Sequence, residues 1–460
     1  MSGFLGRRAI VIGAGMGGLS AAGALASHFQ QVDVLERDLV TSSATSRPGT
    51  PHDRHPHGLL RAGLNALNEI FPDYEYDLAA AGGVHIGAVH DMRFEREDFG
   101  VLPQRNFGIR LLCASRPLIE SVLRRRVQAL ANVTLHPQCR VTEITVAPET
   151  SAVRGVAFED QSEQVRTLDA DLVVDASGRG ALSIAALERL GWERPSITEI
   201  GVELTYATAI VPIPNGAPKD WRLALSLPNP PHMRLHGVLL PIEGRRWIAL
   251  IARHGPGTPP ATWDAFLEEA ARLSSLTMYH ALRLAEPPAE IRHFAFKAST
   301  WRHFERLPSM PRGLVPVADA FCRFNPAYGQ GMSSAARQAR LLQDALESCR
   351  NEADPIASAQ ASFFAEVGPF LQTPWALSTS ADLAYPETQG ERPENFAESR
   401  EFEAALFKAS VVDPVVHHAL IEVTQLLQPM SRLQEPDIVQ RVEAAVARAT
   451  RDPFVVKQTA

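Results

Sequence analysis

Residues 8–36 read RAIVIGAGMGGLSAAGALASHFQQVDVLE, and this stretch decides the fold of the N-terminal part of the chain. A β-branched run is followed by G-x-G-x-x-G, a helical stretch of small residues, and a second apolar run that ends at Glu36. In this order Gly13 permits a tight turn, Gly15 lets the backbone approach a pyrophosphate, and Gly18 lets helix and strand pack closely. The stretch predicts a Rossmann βαβ unit that binds a dinucleotide, with Glu36 accepting hydrogen bonds from a ribose.

Two later stretches have the pattern of a strand that ends in an acid. Asp175 follows the apolar residues 172–174, and Asp319 follows residues 314–318. Ligands of a doubly wound sheet lie at the carboxyl ends of its strands, so both carboxylates are expected near Glu36. Gly329 and Gly331 begin a long helical stretch, whose free N–H groups are expected to face the pyrimidine edge of a flavin. A cofactor that spans several strand ends favours FAD over NAD, although both stretches could also be ordinary βα turns.

These motifs resemble those of the FAD-dependent aromatic hydroxylases and epoxidases, whose best-known members are of the p-hydroxybenzoate hydroxylase type. Residues 13–36 match the ADP-binding motif, 175–179 (DASGR) resemble the D-G motif, and 319–332 (DAFCRFNPAYGQGM) resemble the G-D motif. The last stretch, together with 54–60 and 115–126, is more similar to the bacterial epoxidase-like branch (polyether and squalene epoxidase-like). The resemblance covers most of the chain.

The resemblance implies an FAD-dependent monooxygenase that inserts one oxygen atom from dioxygen into an apolar olefinic or aromatic small molecule, through a flavin C4a-hydroperoxide. Electrons would come from NADPH or NADH, directly or through a flavin reductase. No catalytic side chain is assigned, but His57 and Pro326 are expected near the flavin. The expected cofactor-binding residues are Gly13, Gly15, Gly18, Glu36, Arg37, Arg116, Asp175, Asp319, Gly329, Gly331 and Met332.

Two positions depart from the family pattern. Ala318 stands where the G-D motif has its first glycine, and Cys322 stands where phenol hydroxylases often have a histidine. The extra methyl of Ala318 lies where the backbone runs close to the cofactor, so FAD affinity is the property it affects. A flavin-binding protein without catalysis is therefore one alternative function. A flavin oxidoreductase of the geranylgeranyl reductase type, which moves hydride without oxygen, is another. The W-x-W-x-I-P segment of halogenases is absent.

His52, His55 and His57 stand within six residues, and such a cluster can bind a metal. Arg54 would oppose a cation, so the sequence predicts no metal site. The remaining interpretations are a flavin-adjacent or substrate-gating role for His57 and a loop of ordinary surface histidines. The basic run 124–126 is expected to be a solvated helix end, where cations complement the helix dipole.

Composition limits the partners and the cellular location. Apolar residues make up 45% of the 460 and the formal net charge is −7, so the chain is globular and carries no electrostatic footprint for nucleic acid. Residues 9–26 are uncharged and follow two arginines, but their five glycines argue against a signal or a membrane helix. Four scattered cysteines without a C-x-x-C pair are expected to be reduced thiols in a cytoplasmic protein.

The order of elements predicts an α/β architecture: a Rossmann-type FAD-binding domain with an inserted antiparallel β-sheet substrate domain and a helical C-terminal region. The predicted boundaries are 1–198 and 290–352 for the FAD domain, 199–289 for the sheet, and 353–460 for the helices. Strands at 202–211 and 246–251 are expected to present apolar side chains toward the flavin, because oxygen transfer requires a dry pocket.

Overall fold

Five parallel strands form the sheet that carries the glycine motif. The computed structural model describes residues 3–41, 43–50 and 53–451. In spatial order, and numbered along the chain, the strands are β18 (Leu314–Pro316), β12 (Leu172–Asp175), β1 (Gly6–Ile12), β2 (Phe29–Glu36) and β8 (Val133–Pro137). Because all neighbouring pairs are parallel, their carboxyl ends meet at one edge. The predicted Rossmann-type α/β fold is confirmed.

The two faces of this sheet are covered differently. Helices that contribute to the core on one face are α1 (Met16–Ala26), α2 (Arg61–Ile70), α3 (Tyr74–Ala80), α4 (Arg116–Gln128), α8 (Gly331–Ser348) and α9 (Pro355–Leu383). The other face packs against an antiparallel sheet of β9 (Arg140–Ala147), β10 (Ala152–Glu159) and β11 (Val165–Asp169), and against α5 (Ala181–Arg189). Ile10 and Ile12 contribute to that second core with Ile144 and Val156.

A second, eight-stranded sheet corresponds to the predicted substrate domain. Its spatial order is β19 (Cys322–Arg323), β17 (Ile291–Arg302), β13 (Ile197–Pro212), β16 (Arg246–His254), β15 (Leu235–Ile242), β14 (Leu223–Ser226), β5 (Met92–Arg96) and β6 (Gly100–Val101). The pair β14 and β5 is parallel, and the others are antiparallel. The predicted insertion 199–289 therefore supplies only the middle of this sheet, since β5, β6, β17 and β19 come from the flanking segments.

The remaining elements close the molecule around the two large sheets. Helices α6 (Trp263–Ala270) and α7 (Thr277–Leu282) pack on one face of the eight-stranded sheet. Three short strands, β3 (Gly58–Leu59), β7 (Arg110–Cys113) and β4 (Val84–Gly87), form a small antiparallel sheet in that spatial order. The C-terminal region contains α10 (Phe396–Val412), α11 (Pro414–Thr424) and α12 (Pro436–Arg451), which with α9 confirm its helical character. None of the described helices is both long and apolar enough for a membrane span.

Candidate cofactor and substrate site

A cavity of about 1660 Å³ opens where the carboxyl edge of the parallel sheet meets the eight-stranded sheet. Ligand pockets usually measure roughly 300–1,000 Å³, so this one has room for more than one small molecule. Its walls bring together most of the site residues predicted from the sequence, namely Gly13, Gly15, Glu36, Arg37, His57, Arg116, Asp319, Pro326, Gly329, Gly331 and Met332. Gly18 and Asp175 are the two that lie behind the wall.

The three motif glycines have the geometry that their predicted roles require. Gly13 has φ +97°, and a Cβ there would lie 2.8 Å from the Ala176 carbonyl oxygen. A Cβ on Gly18 would lie only 1.8 Å from the Gly13 carbonyl oxygen, which shows how closely α1 packs on β1. At Gly15 the nearest atom to an added Cβ is 3.9 Å away. The backbone of Gly15 therefore faces open cavity, as close approach to a pyrophosphate requires.

The second glycine-rich segment also faces open space. A Cβ on Gly329 or Gly331 would meet no atom within 4 Å. Between them, the side-chain oxygen of Gln330 is buried and has no hydrogen-bond partner among the described residues. Helices α1 and α8 both begin at this cavity, so their positively polarised ends can stabilise negative charge there. An anionic pyrophosphate and a flavin edge fit this set of groups.

Arg47 is a member of the site that the sequence did not reveal. Its guanidinium pairs with the Glu36 carboxylate at 2.8 Å and donates to the Ala14 carbonyl oxygen at 3.0 Å. Glu36 also accepts from the backbone N–H groups of Ala14 (2.7 Å) and Asp38 (3.0 Å). A carboxylate offers about four acceptor sites. Three of the sites on Glu36 are taken by the protein, so one is left for a ribose hydroxyl.

Glu120 joins Arg47 to Arg116 in the same buried network. Its carboxylate oxygens lie 3.1 Å from Arg47 Nη2 and 2.9 Å from Arg116 Nε, and its side chain is only 4% exposed. Burial alone would raise the pKa of Glu120, but the two guanidinium groups outweigh it and lower the pKa. The Nη2 atoms of both arginines lie about 4 Å from the Cβ position at Gly15. Two cations therefore flank the place predicted for the pyrophosphate.

Asp175 supports the site from behind. Its fully buried carboxylate accepts hydrogen bonds from the Ser177 N–H at 3.0 Å and from the Ser183 hydroxyl at 2.7 Å. These bonds shape the turn after β12, and that turn lines the cavity through Ser177 and Gly178. Asp175 thus acts on the cavity through the turn, and a direct contact with the cofactor remains a prediction.

Asp319 lines the cavity but does not end a strand. Strand β18 ends at Pro316, and Asp319 lies on a short 3₁₀ turn that follows it. Burial raises the pKa of its carboxyl group, while Arg116, Arg323 and Arg302 oppose that shift. The turn forms because Ala318 adopts φ +54°, which redirects the chain. The prediction of a strand that runs to Asp319 was therefore wrong by three residues.

Ala318 carries its methyl in a conformation that favours glycine. Its φ of +54° lies in the left-handed region, and a Cβ on Gly17 would lie 2.6 Å from the Ala318 Cβ. The methyl thus rests against α1 where Gly17 has no side chain. Its amide donates to the Gln338 side-chain oxygen at 2.8 Å, which holds the turn on α8.

Ala318→Gly is expected to raise the free energy of unfolding by about 1 kcal/mol, because glycine removes left-handed strain. FAD should bind at least as tightly as in the parent. Urea unfolding and flavin titration measure the two quantities. Ala320→Gly, two residues away at an ordinary φ, is the control and should destabilise. Weaker flavin binding by Ala318→Gly would show that the methyl supports the cofactor-binding turn.

The histidine cluster does not form one site. His55 is buried, and its Nδ1 lies 2.7 Å from the Thr208 hydroxyl of β13. Burial, with His293 nearby, lowers the pKa of His55 to about 4, so it is neutral. His57 lines the cavity, and its Nδ1 lies 2.7 Å from the His55 carbonyl oxygen. His52 lies outside the described residues. In the part of the chain that the structure describes, no group of three His, Cys, Asp or Glu side chains is placed to hold a metal ion.

The basic run 124–126 differs from the prediction. Helix α4 continues to Gln128, so these arginines lie within it. Arg124 is buried and donates to the Thr41 carbonyl oxygen, and Arg126 pairs with Asp77. Only Arg125 is exposed. The prediction that Arg124 is exposed to solvent is therefore wrong, because the chain that follows β2 crosses over this helix and covers it.

A buried polar cluster lies behind the second glycine-rich segment and centres on Asp382 of α9. Its carboxylate accepts from the Asn325 amide at 3.0 Å and from the Tyr328 hydroxyl at 2.9 Å, and it is fully buried. The Tyr206 hydroxyl of β13 donates to Asn325 Oδ1 at 3.3 Å. Burial raises the pKa of Asp382 to about 7, against the opposing effect of the two hydrogen bonds. The cluster fixes residues 325–328 between β13 and α9.

The stability of the Asp382→Asn variant relative to the parent is expected to increase as pH rises. An unfolded aspartate has a pKa near 3.9, so a folded value of about 7 adds stability at low pH that is lost between about pH 4 and 7. The asparagine variant has no such loss. Its stability relative to the parent should therefore be about 2–3 kcal/mol greater at pH 8 than at pH 5. Urea unfolding at both pH values measures this, and an equal difference at both would contradict the raised pKa.

The wall that faces the glycine-rich segments is mostly apolar, but it is wider than predicted. Within the two predicted strand segments, only Tyr206 and Leu250 line the cavity. Most of the wall comes from β15, β14 and β5, which follow β16 across the sheet. The opposite side is covered by the helices α9, α10 and α11, which contribute Trp375, Leu406 and Ile421. The prediction of an apolar pocket holds for most of this wall, with polar exceptions at Tyr206, His236 and Arg96.

Comparison with known proteins places this geometry in context. Residues 9–224 match the family described as FAD dependent oxidoreductase. Protein Rv3254 of Mycobacterium tuberculosis is 32% identical over 366 residues, which cover 75% of this chain and 74% of that protein. Kynurenine 3-monooxygenase of Salinispora tropica is 25% identical over 372 residues, covering 77% and 76%. The crystal structure of p-nitrophenol 4-monooxygenase PnpA from Pseudomonas putida has the same fold, with a TM-score of 0.62 at 15% identity over 92% of this chain and 99% of that one.

Proposed function

Since this chain belongs to the family of FAD-dependent oxidoreductases and is an FAD-dependent monooxygenase, we propose that it transfers one atom of dioxygen to an apolar olefinic or aromatic small molecule. The reaction is an epoxidation or a hydroxylation. Electrons come from NADPH or NADH, delivered directly or through a flavin reductase. The epoxidase-like motif at residues 319–332 supports epoxidation. The kynurenine 3-monooxygenase relative supports hydroxylation.

The observation that carries the proposal is the continuity of the cavity. The same space is lined by Gly15 and Gly331 at one end and by the apolar sheet wall at the other. A cofactor held by the glycine segments therefore meets a substrate on the apolar wall without crossing solvent. Bound FAD would take electrons from the nicotinamide donor and pass them to dioxygen, and the protein supplies orientation and dryness.

We assign the cofactor contacts to residues that line the cavity. Glu36 has one acceptor site left for a ribose hydroxyl, and Arg47 and Arg116 flank the pyrophosphate position. Asp319, which lines the cavity, would accept hydrogen bonds from the ribityl hydroxyls, and the N–H groups at the start of α8 would bind the pyrimidine edge. These groups hold the cofactor with charge at one end and leave the other end against apolar walls.

The sheet wall on the substrate side is largely apolar. Leu240 and Leu250 of the sheet and Trp375 of α9 line the cavity and belong to one apolar cluster, and His57 and Pro326 line the same cavity. A dry enclosure protects reactive oxygen from release as peroxide. No side chain at this end is required to act as a nucleophile, since the protein's part is to bind and orient.

Labelled dioxygen tests the proposal. The purified holoenzyme is supplied with NADPH or with reduced flavin, and with a panel of alkyl-substituted phenols and olefins. We expect one labelled atom in the product and the other in water. Product formed without oxygen at an undiminished rate, or product whose new oxygen comes from water, would contradict oxygenation and support the reductase alternative. A Gly15→Val variant serves as the flavin-free control.

A further inference from the structure

The apolar wall of the cavity extends across five adjacent strands. In spatial order these are β13, β16, β15, β14 and β5. Strands β15, β14 and β5 contribute alternate side chains to the cavity, β16 contributes Leu250, and the wall also includes Val238, Leu240, Leu223, Leu225 and Phe94. The residues between them, such as Leu239 and Ala224, point to the other face, where they pack with α6 and α7. One continuous face of the sheet thus lines the cavity.

The width of this wall follows from strand spacing. Neighbouring strands lie about 4.8 Å apart, so four spacings from β13 to β5 cover roughly 19 Å. The β13 end of the wall lies beside the chain that leads into the second glycine-rich segment, because the Tyr206 hydroxyl contacts Asn325. The β5 end lies far from that segment. A single aromatic ring beside the cofactor would leave most of the wall uncovered.

The far end of the cavity is closed by stacked aromatic rings. Phe94 of β5 stacks on Phe407 of α10 with ring centroids 6.2 Å apart, and the Arg96 guanidinium lies 4.3 Å from the Phe407 ring centroid. Arg96 is already neutralised by Asp98, at 2.6 Å and 3.0 Å. This end therefore presents aromatic rings to a ligand, and the charge of Arg96 is already paired.

The middle of the wall is also uncharged. His236 of β15 lines the cavity, and burial lowers its pKa to about 4, so it is neutral near pH 7. Across from it, Leu406 of α10 and Leu420 and Ile421 of α11 add apolar surface, and the charged lining residues Arg400 and Glu403 pair with each other. The physical match for such a space is a hydrocarbon segment, because burying it costs no polar hydrogen bonds and gains about 0.8 kcal/mol per methylene.

We propose that the substrate is elongated: its reactive group lies beside β13, and an apolar tail extends along β16, β15 and β14 to the stacked rings at β5. The inference rests on the proposed function for the position of the reactive group. It goes further in assigning the substrate to a class, a long molecule with a hydrocarbon tail, and in making the C-terminal helices α10 and α11 part of the binding site.

A series of 4-alkylphenols, from methyl to tetradecyl, tests the tail site. Kd is measured on the oxidised holoenzyme by isothermal titration without electron donor. Kd should fall about threefold to fourfold for each added methylene. It should level off after roughly ten methylenes, the length that about 19 Å leaves beyond one ring. A series with no dependence on chain length would overturn the proposal.

Leu225→Trp places bulk in the middle of the wall. Its affinity for 4-methylphenol should stay within about twofold of the parent, and its affinity for 4-decylphenol should fall at least tenfold. Leu284→Trp is the matched control, because Leu284 is half exposed and lies away from the cavity lining, and it should leave both Kd values unchanged. If Leu225→Trp does not fold, Val238→Phe on β15 makes the same test. Equal loss for short and long probes would contradict a tail site.

This binding experiment is independent of turnover. A steep chain-length series in an enzyme that incorporates no labelled oxygen would retain the tail site and overturn the oxygenase proposal. If Kd does not depend on chain length but the enzyme oxygenates short aromatic compounds, the oxygenase proposal is retained and the tail site is overturned.

Discussion

Gly15→Val is expected to give a folded protein that has lost FAD. An added Cβ at Gly15 meets no atom closer than 3.9 Å, and the residue has ordinary extended backbone, so the valine meets no protein backbone and only the ends of the Arg47 and Arg116 side chains lie near it. The space it fills is the space that the pyrophosphate requires. The affinity for FAD should fall at least a hundredfold, or about 2.7 kcal/mol. The flavin-free protein should unfold within about 1 kcal/mol of the flavin-free parent.

Gly18→Ala is the matched comparison within the same motif. Its Cβ would fall 1.8 Å from the Gly13 carbonyl oxygen, which is a backbone atom and cannot move aside. This variant should therefore lose stability whether or not flavin is present. Flavin absorbance of the purified proteins and urea unfolding separate the two effects. A folded Gly15→Val that keeps stoichiometric flavin would remove the basis for placing the cofactor at this turn.

The N-terminal unit could be predicted because its determinants are local. Gly18 is required by a contact with Gly13, five residues away, and Gly13 by a contact across one pair of strands. The spacing of the apolar residues marks β1 and β2. The eight-stranded sheet was predicted only in its middle. Strand β5, next to the edge strand β6, pairs in parallel with β14, a partner about 130 residues later, and no local pattern specifies such a pairing.

The parts of the site that sequence reasoning missed are long-range charge contacts. Arg47 lies in a loop without periodicity, and its partner Glu120 lies on a helix 73 residues away. Asp382 lies inside α9, where its sequence neighbours give no sign that Asn325 and Tyr328 will surround it. One signal was available: Glu36 and Glu120 both stand among apolar residues, and buried carboxylates need cationic partners. That rule predicts an arginine nearby but not which one.

The network around Glu120 makes a second large effect expected. Glu120→Ala removes the carboxylate that lies between Arg47 and Arg116, and it leaves two buried guanidinium groups with less compensation. Breaking a buried ion pair from one side typically costs about 3–5 kcal/mol, so the flavin-free variant should lose that much stability. Glu120→Gln keeps an acceptor oxygen without the charge and should lose about half as much.

The control for Glu120 is an ion pair of similar length at the surface. Glu69 pairs with Arg340 at 2.6 Å but is half exposed, so Glu69→Ala should cost less than about 1 kcal/mol. FAD should reduce the cost of Glu120→Ala, because the pyrophosphate brings negative charge to the two arginines beside Gly15. Urea unfolding with and without saturating FAD measures both costs. An equal cost in the two conditions would mean that the phosphates lie away from Arg47 and Arg116, and the cofactor would then have to enter the cavity in another orientation.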